Sequence, residues 1–394
     1  MKSQFLTVLL LATFSPTSLL AAQQRHPHWS VDLDQYGNSV GRLGKTSAFY
    51  SDDVVAVTDR YVAVAVEAKE PAAGLRRNPA ESESTFSVLI FEATNGKLSA
   101  KCGPWTVDGW FYLWPSAGGN FLLHVTPSSD GSHLGVEMLL LLSPACAQLK
   151  QLILRDQGNA KTRSLHILQS PSLRTLLLVK EQKEGSRYEL RDSETLDLKG
   201  QWFEPISEAP IIVGVSDKGF LGVLPRPSSM VSETDPIADY YRTFDGDWRA
   251  LPVSNYYSFL SDDALVGTKG SAIEGWKVST TQVTAVGLDG TPVFSAIVSG
   301  TGYHVQRSSD ISVSSDGNHF AFILDFSGAG WLWGNLDMGP EHHAVYVWSV
   351  THESPCAKVK VGDWPNLPAL APDGSWFAVL DRSTLSIRPV LSPD

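Results

Sequence analysis

The stretch LAPDGSWFAVLD, residues 370–381, decides the fold of this chain. It has an apolar approach, an Asp-Gly turn and an aromatic-led apolar run, and ISVSSDGNHFAFIL, residues 311–324, repeats that plan. Asp and Gly tolerate the positive φ that a tight hairpin needs. Each stretch therefore predicts two short antiparallel strands joined by a tight turn.

Five weaker copies of this hairpin lie upstream. They share apolar runs on both sides of a short polar turn: VAVTDRYVAVAV from Val55, LWPSAGGNFLLHV from Leu113, ILQSPSLRTLLLV from Ile167, VGVSDKGFLGVL from Val213 and YSFLSDDALVGT from Tyr257. The turns are spaced 45 to 59 residues apart when marked at Asp59, Gly118, Ser172, Asp217, Asp262, Asp316 and Asp373. The copy at Ser172 is the weakest, and it contains no Gly. A period near 50 residues is typical of β-propellers.

A second hairpin follows the first in several repeats, with turns at residues 94–97, 192–195, 289–290 and near 352–355. Each repeat is thus predicted to be a four-stranded blade. The last repeat has room for only three strands, and HWSVDL, residues 28–33, can supply the fourth. The sequence predicts an all-β, seven-bladed β-propeller closed by an N-terminal strand that completes the last blade. Dropping or adding one marginal copy would give six or eight blades.

The turns SSDG from Ser314 and APDG from Ala371 resemble the SPDG signature of WD40-like and YVTN-type seven-bladed β-propellers. The resemblance extends over about residues 48–390. The Gly-His and Trp-Asp dipeptides of true WD40 repeats are absent, which argues against the eukaryotic scaffold branch. The resemblance implies an architecture and little chemistry, since such propellers include lactonases, dehydrogenases, peptidase domains and binding platforms.

Residues 1–22 are predicted to be a secretory signal peptide. Lys2 precedes an apolar stretch too short to span a bilayer, and the small residues Ala21 and Ala22 follow. The alternative is a membrane-anchored N-terminus, although no Cys follows the apolar stretch for lipoprotein anchoring. We expect residues 28–394 to form a single propeller domain in the bacterial periplasm or outside the cell, without stable membrane insertion after cleavage.

The chain is acidic. Without Lys2, 30 Lys and Arg residues stand against 42 Asp and Glu residues, a net charge of about −12. Such a surface repels phosphate backbones, so nucleic acid is not an expected partner.

Three cysteines, Cys102, Cys146 and Cys356, leave at least one thiol unpaired. Cys102 and Cys146 are expected on neighbouring blades but too far apart along the strands to form a disulfide. The first interpretation is therefore three buried free thiols.

The connections between second and third strands all emerge on one face of a propeller. Two are short, near residues 181–185 and near Arg382, and five are long: residues 67–85, 126–135, 225–239, 269–282 and 325–343. Long loops without structure of their own are uncommon unless functional or disordered. They predict a ligand-facing surface around the central channel. The alternative is a face that merely tolerates insertions.

The most informative loop is DFSGAGWLWGNLDMGPEHHA, residues 325–344. Trp331 and Trp333 lie there in a Gly-rich setting, and Trp276 is a similar case on another long loop. Exposed aromatic side chains give rigid contact area for a sugar, a peptide or a protein. The alternative is that the rings pack over the channel mouth as a plug.

Polar residues on these loops raise the question of a catalytic or metal site. His342 and His343 are adjacent in the sequence, with Asp337 and Glu341 nearby, but neighbours in an extended chain point opposite ways and cannot easily share an ion. No metal site is therefore predicted. Two loops carry carboxylates that could form an acid/base pair, a calcium site or only a solvated surface: Asp130, Glu233, Asp235 and Asp239. Arg76 and Arg77 could dock an acidic group or be simply exposed.

The chain has no G-x-S-x-G, H-E-x-x-H, C-x-x-C-H or P-loop motif, so no cofactor is predicted. The leading hypothesis is a monomeric, exported binding or protein-interaction platform for a protein, peptide or saccharide, rather than an enzyme. Its predicted ligand-binding residues are Trp276, Trp331, Trp333, His342, Asp235 and Asp239. The alternative is a lactonase-type hydrolase with a carboxylate or metal site at the channel mouth. A third hypothesis is an oxidoreductase-like propeller, which needs a quinone or haem partner.

Overall fold

The computed structural model describes residues 28–36, 38–39, 54–68, 84–107, 109–127, 137–155, 162–205, 210–223, 240–252, 256–270, 278–301, 303–307, 311–328, 342–362 and 368–391. In these ranges the chain forms thirty strands and one short 3-10 helix, Leu33–Tyr36. No helix within them is long and apolar enough to cross a membrane.

The strands form seven antiparallel sheets, here called blades 1 to 7 in chain order. The described chain starts with β1 (Trp29–Asp32), which belongs to blade 7. Blade 1 contains β2 (Asn38–Ser39), β3 (Val55–Val57), β4 (Tyr61–Ala68), β5 (Ser84–Glu92) and β6 (Leu98–Val107). Blade 2 contains β7 (Gly109–Pro115), β8 (Phe121–Pro127), β9 (Glu137–Leu142) and β10 (Gln148–Arg155). Blade 3 contains β11 (Thr162–Gln169), β12 (Thr175–Gln182), β13 (Gly185–Asp192) and β14 (Leu198–Pro205).

The remaining blades repeat this plan. Blade 4 contains β15 (Ile211–Val215), β16 (Gly219–Val223), β17 (Tyr240–Thr243) and β18 (Arg249–Ala250). Blade 5 contains β19 (Tyr256–Ser261), β20 (Ala264–Gly270), β21 (Val278–Gly287) and β22 (Pro292–Thr301). Blade 6 contains β23 (Tyr303–Arg307), β24 (Ser312–Val313), β25 (His319–Gly328), β26 (His342–Ser349) and β27 (Ala357–Val361). Blade 7 contains β28 (Ala369–Leu370), β29 (Trp376–Asp381) and β30 (Thr384–Pro389), with β1.

This arrangement confirms the predicted seven-bladed β-propeller of four-stranded blades. Each of the seven predicted turns joins the first and second strands of one blade. In two blades the innermost strand is divided into two pieces. In blade 1, β2 and β3 both pair with β4, and in blade 6, β23 and β24 both pair with β25.

The predicted closing strand is confirmed. β1 pairs antiparallel with β30, with Val31 opposite Leu385, and so becomes the fourth strand of blade 7. The Trp29 indole also donates a hydrogen bond of 2.7 Å to the Ala93 carbonyl of blade 1. Gly96 lies against this indole at a φ of +73°, where a Cβ would stand 2.7 Å from the ring. Glycine is therefore needed at the contact that joins the closing strand to the first blade.

The core lies between the blades. In β12, Leu176 and Leu178 pack toward blade 2, whereas Leu177 and Val179 pack toward blade 4. Both faces of the strand are thus buried, which explains why the inner strands are continuous apolar runs rather than alternating ones.

Turns of successive blades are joined to one another on the face that carries them, here called the hairpin face. Ser172 and Thr175 of blade 3 donate hydrogen bonds of 2.7 Å to the Asp217 carboxylate of blade 4. The backbone N–H of Asp217 donates in turn to the Asp262 carboxylate of blade 5, at 2.8 Å. Three turn positions marked in the sequence therefore form one continuous chain of hydrogen bonds.

The weakest copy of the hairpin has a structural explanation. In three of the other turns a glycine takes the positive φ: Gly119 at +73°, Gly317 at +68° and Gly374 at +69°. At Ser172 this position is occupied by Leu173, at a φ of +65°. Its carbonyl accepts a hydrogen bond from the Ser193 hydroxyl, which holds the turn in this uncommon conformation.

The expectation of three free thiols is wrong for two of the cysteines. Cys102 of β6 and Cys146, in the turn between β9 and β10, form a disulfide with Cα atoms 5.1 Å apart. The expected distance between the two cysteines assumed that the outer strands of neighbouring blades lie side by side without an offset. Because sheets twist, their outer strands are offset along their length, and Cys102 lies level with the turn of the next blade. Cys356 is free and half-buried, and burial raises the pKa of its thiol.

Removing the disulfide is expected to destabilise the propeller. The bonded cysteines are 44 residues apart, and closing such a loop removes about 4 kcal/mol of unfolded-state entropy. We expect Cys102→Ser/Cys146→Ser to lower the free energy of unfolding by about 2–4 kcal/mol in urea titrations. Cys356→Ser is the control and should change little. Equal stabilities of the double variant and the wild type would contradict this role.

Asp217→Ala tests the chain of turn hydrogen bonds. Removing the carboxylate leaves the Ser172 and Thr175 hydroxyls without their acceptor, so we expect a loss of about 1–3 kcal/mol in unfolding free energy. Asp59→Ala, at the equivalent but exposed turn position of blade 1, should cost less than about 0.5 kcal/mol. Similar losses in both variants would show that the hydrogen bonds between turns contribute nothing specific.

Candidate functional site

The two faces of the propeller are built differently. On the hairpin face, tight turns join first to second strands and third to fourth strands. The connections between second and third strands emerge on the other face, here called the long-loop face. Two of them are residues 183–184 and 382–383, as predicted. The other five are residues 69–83, 128–136, 224–239, 271–277 and 329–341, and they lie outside the described residues.

Most predicted site residues fall on these five connections and remain predictions. The predicted ligand-binding residues outside the described ranges are Trp276, Trp331, Trp333, Asp235 and Asp239. The other loop candidates outside them are Asp130, Glu233, Asp337, Glu341, Arg76 and Arg77. His342 is described, because it is the first residue of β26.

His342 lies at the end of a row of aromatic side chains. Its ring stacks on Phe326 with centroids 4.5 Å apart and planes 6° apart. The row continues through Tyr346 and Trp348 to Phe322, on the face of blade 6 that packs against blade 5. The half-buried imidazole is thus the last ring of this row, next to residues 329–341.

His343 points to the opposite face of the sheet, as the alternation of an extended chain requires. Its Nδ1 is hydrogen-bonded to the Asp325 carboxylate, the residue directly across in β25. Both side chains are largely buried, on the face where blade 6 packs against blade 7. Nε2 of His343 is buried and has no hydrogen-bond partner within the described ranges. A neutral imidazole that donates from Nδ1 to this carboxylate has an acceptor lone pair on Nε2.

A second acceptor without a partner lies at the same end of the same interface. Asp381 is the last residue of β29, the blade 7 strand that packs against blade 6. One of its oxygens, Oδ2, accepts a 3.1 Å hydrogen bond from the backbone N–H of Gly362, next to the residue opposite His343. The other, Oδ1, is buried without a partner in the described structure. The Asp381 oxygen is an acceptor, which a donor or a cation would satisfy.

Blade 2 contains a comparable pair. Nε2 of His124 lies 2.9 Å from a Glu137 oxygen, and both residues are buried. Tyr112 and Trp114 of the inner strand stack beside the imidazole, with centroids 5.5 and 6.0 Å from it. This histidine has its carboxylate partner on Nε2, so the arrangement differs from that of His343.

Sequence reasoning missed both pairs. A signal was present in the sequence. In each pair, the two apolar strands that flank one long connection contain a histidine in one strand and a carboxylate in the other, as in FLLHVTP and EMLLLL. Antiparallel pairing across such a connection brings the two residues together. The prediction that His342 and His343 point apart is confirmed by the geometry.

Blade 3 holds a buried charged cluster with a structural role. Burial acts to raise the pKa of Glu189, but hydrogen bonds from Lys180 at 2.7 Å and Arg191 at 2.6 Å outweigh it. The pKa of Glu189 therefore lies below its usual value, and the carboxylate stays ionised. Every charge in this cluster is paired, so it offers no unsatisfied group to a ligand.

Metal binding has no ready-made site in the part of the chain described. No three His, Cys, Asp or Glu side chains converge there in a way that could hold an ion.

Comparison with known proteins supports the fold alone. No protein-family model matches this sequence, and no curated protein matches it. The acylaminoacyl peptidase of Pyrococcus horikoshii superposes with a TM-score of 0.50 and 11% identity, over 86% of this chain and 52% of that one. The β-propeller domain of the Trilobed protease from Pyrococcus furiosus gives a TM-score of 0.44 and 10% identity, over 86% and 96%. An oligogalacturonate lyase from Vibrio parahaemolyticus gives 0.44 and 13%, over 78% and 86%.

Proposed function

We propose that this propeller is an exported binding platform that holds a protein, peptide or saccharide on its long-loop face. The observation that supports the proposal is the unequal construction of the two faces. Tight turns joined by hydrogen bonds occupy the hairpin face, whereas five of seven connections on the other face are far longer than two strands need. Loops on a rigid scaffold are where binding residues concentrate.

Export is supported by two independent features. Residues 1–22 have the pattern of a signal peptide. The Cys102–Cys146 disulfide fits an oxidising compartment, because thiols in the cytosol are kept reduced.

Aromatic substitutions on the long loop of blade 6 test the platform. Purified wild type and a Trp331→Ala/Trp333→Ala variant are exposed to the exported fraction of the native host, crosslinked and recovered, and glycan arrays are probed in parallel. We expect the variant to bind its ligand at least about tenfold more weakly, because rigid aromatic anchors dominate binding energy.

Phe203→Ala is the matched control, since Phe203 is an aromatic residue 48% exposed on the outer strand β14. Its binding should equal that of the wild type. Ligand binding that survives the loss of both tryptophans, or that falls equally in the control, would contradict a platform at this loop.

A second candidate is a hydrolase of the lactonase type, favoured by the Asp325–His343 pair. Asp325 would hold the Nδ1 proton and orient the ring, which leaves Nε2 to take a proton from water as that water attacks a carbonyl carbon. The returning proton would go to the alkoxide that leaves when the ring of the lactone opens. The pair lies beside the long connection of blade 6, where a substrate could be held.

This candidate is tested with a panel of lactones and aryl esters. If the pair is catalytic, His343→Gln should lower kcat by about 10²–10⁴-fold. His124→Gln, the buried histidine of blade 2, controls for disturbance of the fold and should retain activity. Elemental analysis of the purified protein shows in the same experiment whether a bound metal contributes. A wild type that hydrolyses none of the panel, or an active His343→Gln variant, would reject the hydrolase.

A further inference from the structure

The outer strand of blade 5 differs from the outer strands of all other blades. β22 has the sequence PVFSAIVSGT, without a charged residue and with proline only at its first position. Each of the other outer strands carries at least one charge: β1, β6, β10, β14, β18 and β27. Proteins commonly protect exposed sheet edges with charges or interior prolines, since such an edge otherwise pairs with another strand. β22 has neither protection.

The side chains along β22 are also exposed. Val293 is 44% and Ile297 68% exposed, and they alternate with the exposed serines Ser295 and Ser299. These residues lie on the side of blade 5 that faces blade 4, in line with Gln282 of β21. Blade 4 does not cover them because its outer strands are short: β17 has four residues and β18 two.

The sequence of the exposed row is complementary to itself. In an antiparallel pair of two β22 strands centred on Ser295, Val293 of each strand lies opposite Ile297 of the other. Ser295 then lies opposite its own copy. The interface thus contains two Val293–Ile297 pairs, one on each side of Ser295, and it buries no charge. Directly opposed side chains of this kind stabilise antiparallel pairs.

We propose that β22 is a self-association edge, through which two copies of this chain pair antiparallel about a two-fold axis at Ser295. The two blades 5 then form one continuous eight-stranded sheet. This closed, isologous arrangement lies on the outer rim and leaves the long-loop face of both copies open. This dimer differs from the monomer expected from the sequence.

The size of the interface sets its strength. Two short strands joined at their edges bury less than the roughly 800 Å² per partner of a standard interface. We therefore expect a reversible dimer with a dissociation constant on the order of 10–100 µM. Sedimentation velocity of the full chain over a concentration series should show monomer converting to dimer.

Charge placed on the edge tests the interface. Ile297→Lys sets a cation opposite Val293 on each side of the two-fold axis and should weaken the dimer at least about tenfold. The matched control is Ile153→Lys, a 58% exposed isoleucine on the outer strand β10, which already carries Lys150. The control should dimerise like the wild type. Because both positions are exposed, neither change should unfold the protein.

Cysteine crosslinking tests the register. In a Cys356→Ser background, Ser295→Cys should form a covalent dimer under mild oxidation, because each Ser295 faces its copy. Ser299→Cys lies beyond the paired region and should remain monomeric. A wild type that stays monomeric at every concentration overturns the proposal, as does a dimer equally sensitive to Ile153→Lys. A dimer that crosslinks through position 299 and not 295 overturns the register.

Discussion

The burial of both faces of each sheet is the constraint on which this structure depends. The middle strands are apolar on both sides, so an isolated blade would leave the apolar side chains of both its faces exposed to water. Leu176 and Leu178 need blade 2, while Leu177 and Val179 need blade 4. Only a closed ring satisfies every blade at once, and β1 supplies the strand that closes it. Hydrogen bonds between turns, such as that from Ser172 to Asp217, then fix the angle between neighbours.

The ring can be predicted well from the sequence because each hairpin is specified by residues close together in the chain. An Asp-Gly turn between apolar runs specifies a hairpin whatever its surroundings, and the period of the hairpins specifies the blades. Even the weak copy at Ser172 follows the pattern, with Leu173 in the conformation that glycine usually takes. The disulfide was missed for the opposite reason. Whether Cys102 meets Cys146 depends on the twist between two blades, which no local pattern encodes.

The candidate site is only partly accessible to the same reasoning. Alternation along β26 was enough to predict that His342 and His343 point apart. The pairing of Asp325 with His343 depends on the register across a long connection, and sequence spacing does not specify that register. The buried Nε2 of His343 depends on how blade 7 covers it, which is a property of the ring. Loop tryptophans, in contrast, stand out in the sequence itself, because Trp331 and Trp333 lie in a Gly-rich stretch.

The closing strand also has a kinetic consequence. Blades 1 to 6 are assembled from contacts between neighbouring segments, but blade 7 requires β1, whose partner β30 lies at the far end of the described sequence. Such a non-local pairing forms late and slowly, because the entropy of closing the long loop is lost before any contact forms. During this delay three strands of blade 7 expose an unpaired edge. With only four residues, β1 is also a short unit whose release opens the ring. We expect folding to end, and unfolding to begin, at the same seam.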